Sequence, residues 1–163
     1  MLPITVLEAD ALASALAAGS IDCVIATFGL KTLNDEQKDR FAQEIARVLK
    51  PNGHFSLLEI SVPRQRLLRL PYLFYLKQII PLIGKLLLGN PDNYRMLGIY
   101  TEQFQSCERM GYALQAAGLQ VRVKSFFFGC ATGVYGYKPR PGTTSTLPNE
   151  VYTEDRGHLD DAG

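Results

Sequence analysis

Asp22-Cys-Val-Ile-Ala-Thr-Phe28 and His54-Phe-Ser-Leu-Leu-Glu-Ile60 are two nearly continuous apolar runs, each too short for a helix. Runs of this kind suit strands buried on both faces of a sheet. Between them Phe41, Ile45, Val48 and Leu49 recur at helical spacing. Asn34 or Asp35 stands at the capping position of that helix, and Pro51-Asn52-Gly53 stops it. Two doubly apolar strands joined by a helix imply a parallel βαβ unit with a right-handed crossover. The class is α/β.

Working outward, Ile4-Thr-Val-Leu7 reads as a strand that exits at Glu8-Ala9-Asp10, and Ala11 to Ala18 as a short helix closed by Gly19. Residues 64–90 are strongly apolar but interrupted by Arg69, Pro71, Lys77, Pro81 and Lys85. A membrane span needs about 20 uninterrupted apolar residues, so a helical insert or lid over 64–100 is expected instead. A further helix runs from about Thr101 to Ala117 and ends at Gly118. Gln120 to Gly129 and Ala131 to Lys138 are expected to pair as an antiparallel hairpin at the sheet edge. From Pro139 the chain is rich in Pro, Gly, Thr and acids, which predicts a disordered tail over 139–163.

The chain of 163 residues carries a net charge of +1, with 47% hydrophobic and 20% charged residues. That balance suits one soluble domain and leaves no electrostatic footprint for nucleic acid. Cys23, Cys107 and Cys130 are odd in number and widely spaced. They read as buried free thiols in a reducing compartment. With His54 and His158 as the two histidines, a metal centre is poorly supplied. The start MLPITVLEAD shows no secretory pattern, and a cytoplasmic protein is expected.

Several stretches become specific when taken in order. Glu8-Ala-Asp-Ala11 is followed by Ile21-Asp-Cys-Val-Ile-Ala-Thr-Phe-Gly-Leu-Lys31, Arg47-Val-Leu-Lys-Pro-Asn-Gly53 and Leu57-Leu-Glu-Ile-Ser61. Later come Pro81-Leu-Ile-Gly84, Asn93-Tyr-Arg-Met-Leu97, Ala131-Thr-Gly-Val134 and Gly136-Tyr-Lys138. This set resembles the ubiquinone/menaquinone biosynthesis C-methyltransferases, the UbiE family. The resemblance implies the C-terminal part of a Rossmann-like sheet that binds S-adenosylmethionine (SAM), mostly parallel with an antiparallel last strand, over residues 1–138. It implies methyl transfer from SAM to a hydroxylated aromatic ring with a prenyl tail.

By the same resemblance, Asp10 and Ala11 border the adenine of SAM, Thr27 and Phe28 lie beside its methionine part, and Lys31 and Tyr94 are the catalytic residues. Plainer roles stand beside these: a helix N-cap for Asp10, a strand residue for Thr27, a solvated loop residue for Lys31. Glu59 reads either as a catalytic base or as a carboxylate capping a loop. Where the family has Arg-Asn after Phe-Gly-Leu, this sequence has Lys31-Thr32, which keeps the charge and loses the planar guanidinium fork. No glycine-rich turn of the GxGxG kind precedes Ile4. Weak SAM binding by this chain alone is therefore expected, as are partly bare apolar faces at Val24, Ile25 and Leu57 and a tendency to homo-oligomerise, aggregate or require a further segment in trans. The insert over 64–90 reads as a cap on the core or, with its basic residues, as a peripheral membrane contact. The competing class is a catalytically inactive methyltransferase-like module that binds partners or lipid.

Overall fold

The computed structural model describes residues 4–82 and 100–142, and the backbone of 152–154. Strand β1 (Ile21–Thr27) leads through a short turn into helix α1 (Asp35–Val48). Asn34 caps that helix by accepting the Gln37 N–H at 2.8 Å, while the Gln37 side chain accepts the Asn34 N–H at 2.9 Å. This reciprocal box satisfies two N–H groups that a helix start leaves without partners. At the far end Lys138 Nζ donates to the Ala46 and Leu49 carbonyls at 2.6 and 2.9 Å, placing a cation on the negative end of the dipole.

Strand β2 (Leu49–Ile60) follows α1 directly and pairs parallel with β1. Among the described residues there follow α2 (Arg66–Phe74), a helical stretch over 100–104, α3 (Glu108–Ala116), β3 (Gln120–Phe126), β4 (Ala131–Tyr137) and β5 (Tyr152–Glu154). The sheet order is β1-β2-β4-β3-β5. β4 runs antiparallel to both β2 and β3, and β5 lies parallel to β3. The expected antiparallel β3–β4 hairpin is present on the side of the sheet away from β1, with β4 between β2 and β3 and β5 added beyond β3. β5 lies within the tail that composition left without structure.

One face of the sheet carries the core. Phe55, Leu57, Val123 and Val134 pack with Ala42 and Ile45 of α1 and with Met110, Ala113 and Leu114 of α3. Arg109 binds both carboxylate oxygens of Asp39 at 2.9 Å and ties the two helices together. On the opposite face Cys23, Ile25, His54 and Ser56 alternate outward and are exposed. Of the three residues expected to be partly bare, Leu57 is buried, while Val24 is half-buried against the core, as expected. Ile25, 72% exposed, is the bare one.

Other expectations are corrected by backbone pairing. Residues 4–10 form no strand, and Ile4 and Val6 are 91% and 88% exposed. A strand is defined by its partner, and none of the described strands pairs with this run. The short helix expected from Ala11 is a turn. The helix expected over 101–117 is broken: residues 100–104 are helical, Gln105 takes φ +60, and α3 begins at Glu108. The Cys107 N–H there donates to Thr132 Oγ1 at 2.9 Å, so a side chain on β4 takes the place of a helical carbonyl. Cys23 is exposed, contrary to the expected burial, whereas Cys107 is buried and its thiol is pushed up to about 11 by desolvation.

Within the insert, α2 continues through a π turn at Tyr75–Ile79, widened just after Pro71. Residues 83–99 of the insert, Tyr94 among them, lie outside the described residues. Among the described residues no helix is long and apolar enough to cross a membrane.

Gly136 shows how tightly β4 is held. A Cβ there would overlap the Gln120 carbonyl and come within 3.0 Å of the Phe55 ring. Gly136→Ala is expected to destabilise the chain by about 2–4 kcal/mol, because backbone and ring must both shift. Chemical denaturation checks this, and an unchanged midpoint would contradict the inserted position of β4.

Candidate functional site

Parallel strands bring their carboxyl ends to one rim, and ligands of open α/β sheets bind there. Here the rim holds the ends of β1, β2 and β3 at Thr27, Ile60 and Phe126. Phe28 extends the β1 pairing by donating its N–H to the Leu58 carbonyl at 2.9 Å, then turns with φ +61. A bulky residue in that region marks a conformation imposed by its surroundings. The turn drops Leu30 into the core and returns Lys31 over the end of β2.

Lys31 meets Glu59 there. Its Nζ donates to Glu59 Oε1 at 2.9 Å and to the Phe28 carbonyl at 2.7 Å, and its backbone N–H donates to Glu59 Oε2 at 3.1 Å. The Ile60 N–H adds a fourth bond, to Glu59 Oε1 at 2.9 Å. The Glu59 side chain is fully buried and that of Lys31 is 10% exposed. Two of the three ammonium N–H groups are used, and the third has no acceptor among the described residues. Glu59 is buried and not an exposed base; it caps the loop by accepting the Lys31 N–H and anchors the Lys31 ammonium. A lone carboxylate in the apolar run Leu57-Leu-Glu-Ile60 was the signal in the sequence, but its partner was not legible.

Thr27 and Phe28 stand on the same rim, both exposed. The Thr27 hydroxyl has no hydrogen bond among the described residues. Asp10 and Ala11 are held beside the body of β1 instead. Asp10 Oδ1 accepts the Leu12 N–H at 2.8 Å in a turn, which leaves Oδ2 open. Ala11 lines an open cavity of about 310 Å³ with Ile21, Cys23 and Ile25. The segment is fixed by Ser14, whose N–H and hydroxyl both donate to Glu44 Oε1, at 2.8 and 2.6 Å. Arg47 completes the cluster, bonding Glu44 at 2.7 Å and the Ser14 carbonyl at 3.0 Å. The structure therefore joins Thr27, Phe28 and Lys31 at the rim and sets Asp10 and Ala11 along β1. Thr32 takes no part, since its hydroxyl closes the turn on the Gly29 carbonyl at 2.7 Å.

The architecture is that of SAM-dependent methyltransferases. A SAM-dependent methyltransferase from Thermotoga maritima superposes over 83% of this chain and 64% of its own, with TM-score 0.54 and 16% identity. Human N-acetylserotonin methyltransferase does so over 82% and 33%, with TM-score 0.50 and 18% identity. The family is then given by sequence: residues 1–138 match the ubiE/COQ5 methyltransferase family, and the chain belongs to it. A demethylmenaquinone methyltransferase from Thermus thermophilus is 35% identical over 138 residues, 85% of this chain and 62% of its own length. One from Lactiplantibacillus plantarum is 35% identical over 120 residues, 73% of this chain and 50% of its own. The chain thus spans a half to two thirds of these relatives.

Two outcomes follow from the geometry. Lys31→Met leaves the buried Glu59 carboxylate without its cation and is expected to cost about 3–5 kcal/mol at neutral pH. Adding Glu59→Gln should restore much of that loss, and equal loss in single and double variants by denaturation would contradict the pairing. The Arg47 hydrogen bond first, and Ser14 after it, hold the Glu44 carboxyl down at about 2 against the opposing effect of burial. A depressed carboxylate stabilises the folded state above its ordinary value near 4.5 and loses that contribution as pH falls toward 2. Glu44→Gln should therefore lower stability at neutral pH and flatten the acid limb, as read by thermal melts across that range.

Proposed function

We propose that this chain forms the acceptor side of a SAM-dependent C-methyltransferase of quinone biosynthesis, acting on a hydroxylated aromatic ring with a prenyl tail. The observation that carries the reading is the Lys31 ammonium, aimed by buried Glu59 at the rim where Thr27 and Phe28 also stand. The demethylmenaquinone methyltransferases among its relatives support the substrate class.

The residues present fit SAM in kind. An open Asp10 carboxylate oxygen suits the exocyclic amine of adenine, Ala11 borders a cavity that admits a ring, and the free Thr27 hydroxyl with the turned Phe28 suits the methionine part. The chemistry supplied by SAM, when bound, is an electrophilic methyl group on sulfur. Lys31 gives its unused N–H to the phenolate oxygen of the acceptor. Because Glu59 neutralises the ammonium, that contact orients the ring and stabilises the phenolate without adding an isolated charge. The exposed Phe28 ring, 53% accessible, offers an apolar wall to the acceptor. Tyr94 is retained as a second catalytic candidate on the strength of the family resemblance.

Two partners belong to this reading. The helical insert meets a membrane surface through α2, whose Leu67 and Leu70 are 91% and 75% exposed, with Arg66 and Arg69 beside them. The edge of β1, where Ile25 is bare, takes a further strand, from the same polypeptide or from a second copy. The free thiols support a reducing, cytoplasmic setting for a protein peripheral to the membrane.

The test is transfer of labelled methyl from SAM to demethylmenaquinone-type acceptors, with SAM titrated separately by calorimetry. Lys31→Met should lower turnover about 10²-fold or more while leaving SAM affinity in place, and Lys31→Arg should retain part of the activity. Turnover unaffected by Lys31→Met would remove Lys31 from the mechanism. Absence of transfer together with absence of SAM binding would favour the inactive-module reading.

A further inference from the structure

Phe127 and Phe128 form the turn between β3 and β4, and each is 81% exposed. They take φ +51 and +58 in succession, a left-handed conformation that suits Gly or Asn and that bulky side chains rarely adopt. Two adjacent rings are thus turned into solvent by a backbone that resists the turn. The tip is also braced. A Cβ at Gly129 would sit 3.3 Å from Pro63 Cα, Ser61 Oγ donates to the Gly129 carbonyl at 3.0 Å, and the Tyr72 hydroxyl donates to the Cys130 carbonyl at 3.3 Å. These contacts fix the tip against the start of α2 and against α2 itself.

Charge singles out the occupant. Residues 60–91, which hold α2, contain five basic residues and no acidic one, in a chain of net charge +1. Arg64 and Lys77 are paired with Glu108 and Glu102. Arg66 and Arg69 have no carboxylate partner among the described residues. Exposed aromatic rings beside uncompensated cations complement an anionic lipid surface. A second copy would bring the same unbalanced positive charge to this face and be repelled.

We propose that Phe127 and Phe128 insert into an anionic bilayer, making the β3–β4 tip a second membrane contact beside α2. This rests on the α2 contact proposed above for the neighbouring surface, and vesicle binding measures it without SAM or acceptor. The two rings add apolar depth, while Arg66 and Arg69 add attraction to the headgroups.

The chain contains no tryptophan, so Phe128→Trp in the full chain is a single fluorescent reporter. With vesicles of phosphatidylglycerol and phosphatidylcholine its emission should shift to the blue and be quenched by brominated acyl chains. Pure phosphatidylcholine should give a weaker response, and added salt should reverse the stronger one. The pair Phe127→Asn and Phe128→Asn should lower vesicle partition about tenfold per ring, with the thermal midpoint unchanged or raised because Asn suits the positive φ. Unchanged emission on every vesicle overturns the proposal, as does a midpoint lowered by the Asn pair, which would make the rings packing residues. A blue shift that follows protein concentration without lipid also overturns it, in favour of a second copy. Partition lost in Leu67→Asp with Leu70→Asp but kept in the Asn pair overturns this proposal and leaves the α2 contact standing.

Discussion

A carboxylate sealed inside an apolar strand is the constraint around which the site is built. Moving Glu59 out of water costs several kcal/mol unless its oxygens are satisfied, and they are satisfied only if Lys31 returns over the end of β2. That return requires the left-handed turn at Phe28, the burial of Leu30 and the single turn of Leu30–Thr32. The strained backbone, the buried leucine and the ion pair are therefore one unit. Its product is an ammonium at the rim whose position is set by protein groups on two sides.

The sheet supplies what that unit needs beneath it. β1 and β2 pair in parallel, so Phe28 and Glu59 come to the same end of adjacent strands. β4 closes the other side of β2, and its glycines let backbone and rings approach closely, with Gly136 against β3 and Phe55. α1 and α3 cover one face and leave the other open, so the chain is rigid where Lys31 is anchored and uncovered along β1. On the α1 side of the β1 edge, the Ser14–Glu44–Arg47 cluster holds the segment before β1, and Ala11 lines the cavity there.

Much of this could be read from the amino acids. β1, α1 and β2 followed from apolar runs of strand length around a capped helix, because those patterns are local. Asn34 was one of two capping candidates, and the box with Gln37 decides between them. What failed was pairing, which is not local. Ile4 to Leu7 has strand composition but no neighbour among the described strands, and β5 adds to β3 from a segment whose composition carries no strand signal. The break at Gln105 arises because Thr132 takes the Cys107 N–H, a contact 25 residues away in sequence. At the site, Thr27, Phe28 and Lys31 were named from family resemblance. The role of Glu59 as anchor needed coordinates, because a strand-end acid has many uses.

The chemistry of the rim depends most directly on the orientation of Lys31. The deciding measurement is nitrogen-detected NMR of lysine ammonium groups in the full chain, with the Lys31 signal assigned by its loss in Lys31→Arg. A buried ammonium held by Glu59 and the Phe28 carbonyl should show protons that exchange slowly with water, and its resonance should shift when a phenolic quinone precursor is added. A fast-exchanging Lys31 signal that ignores the precursor would contradict the account.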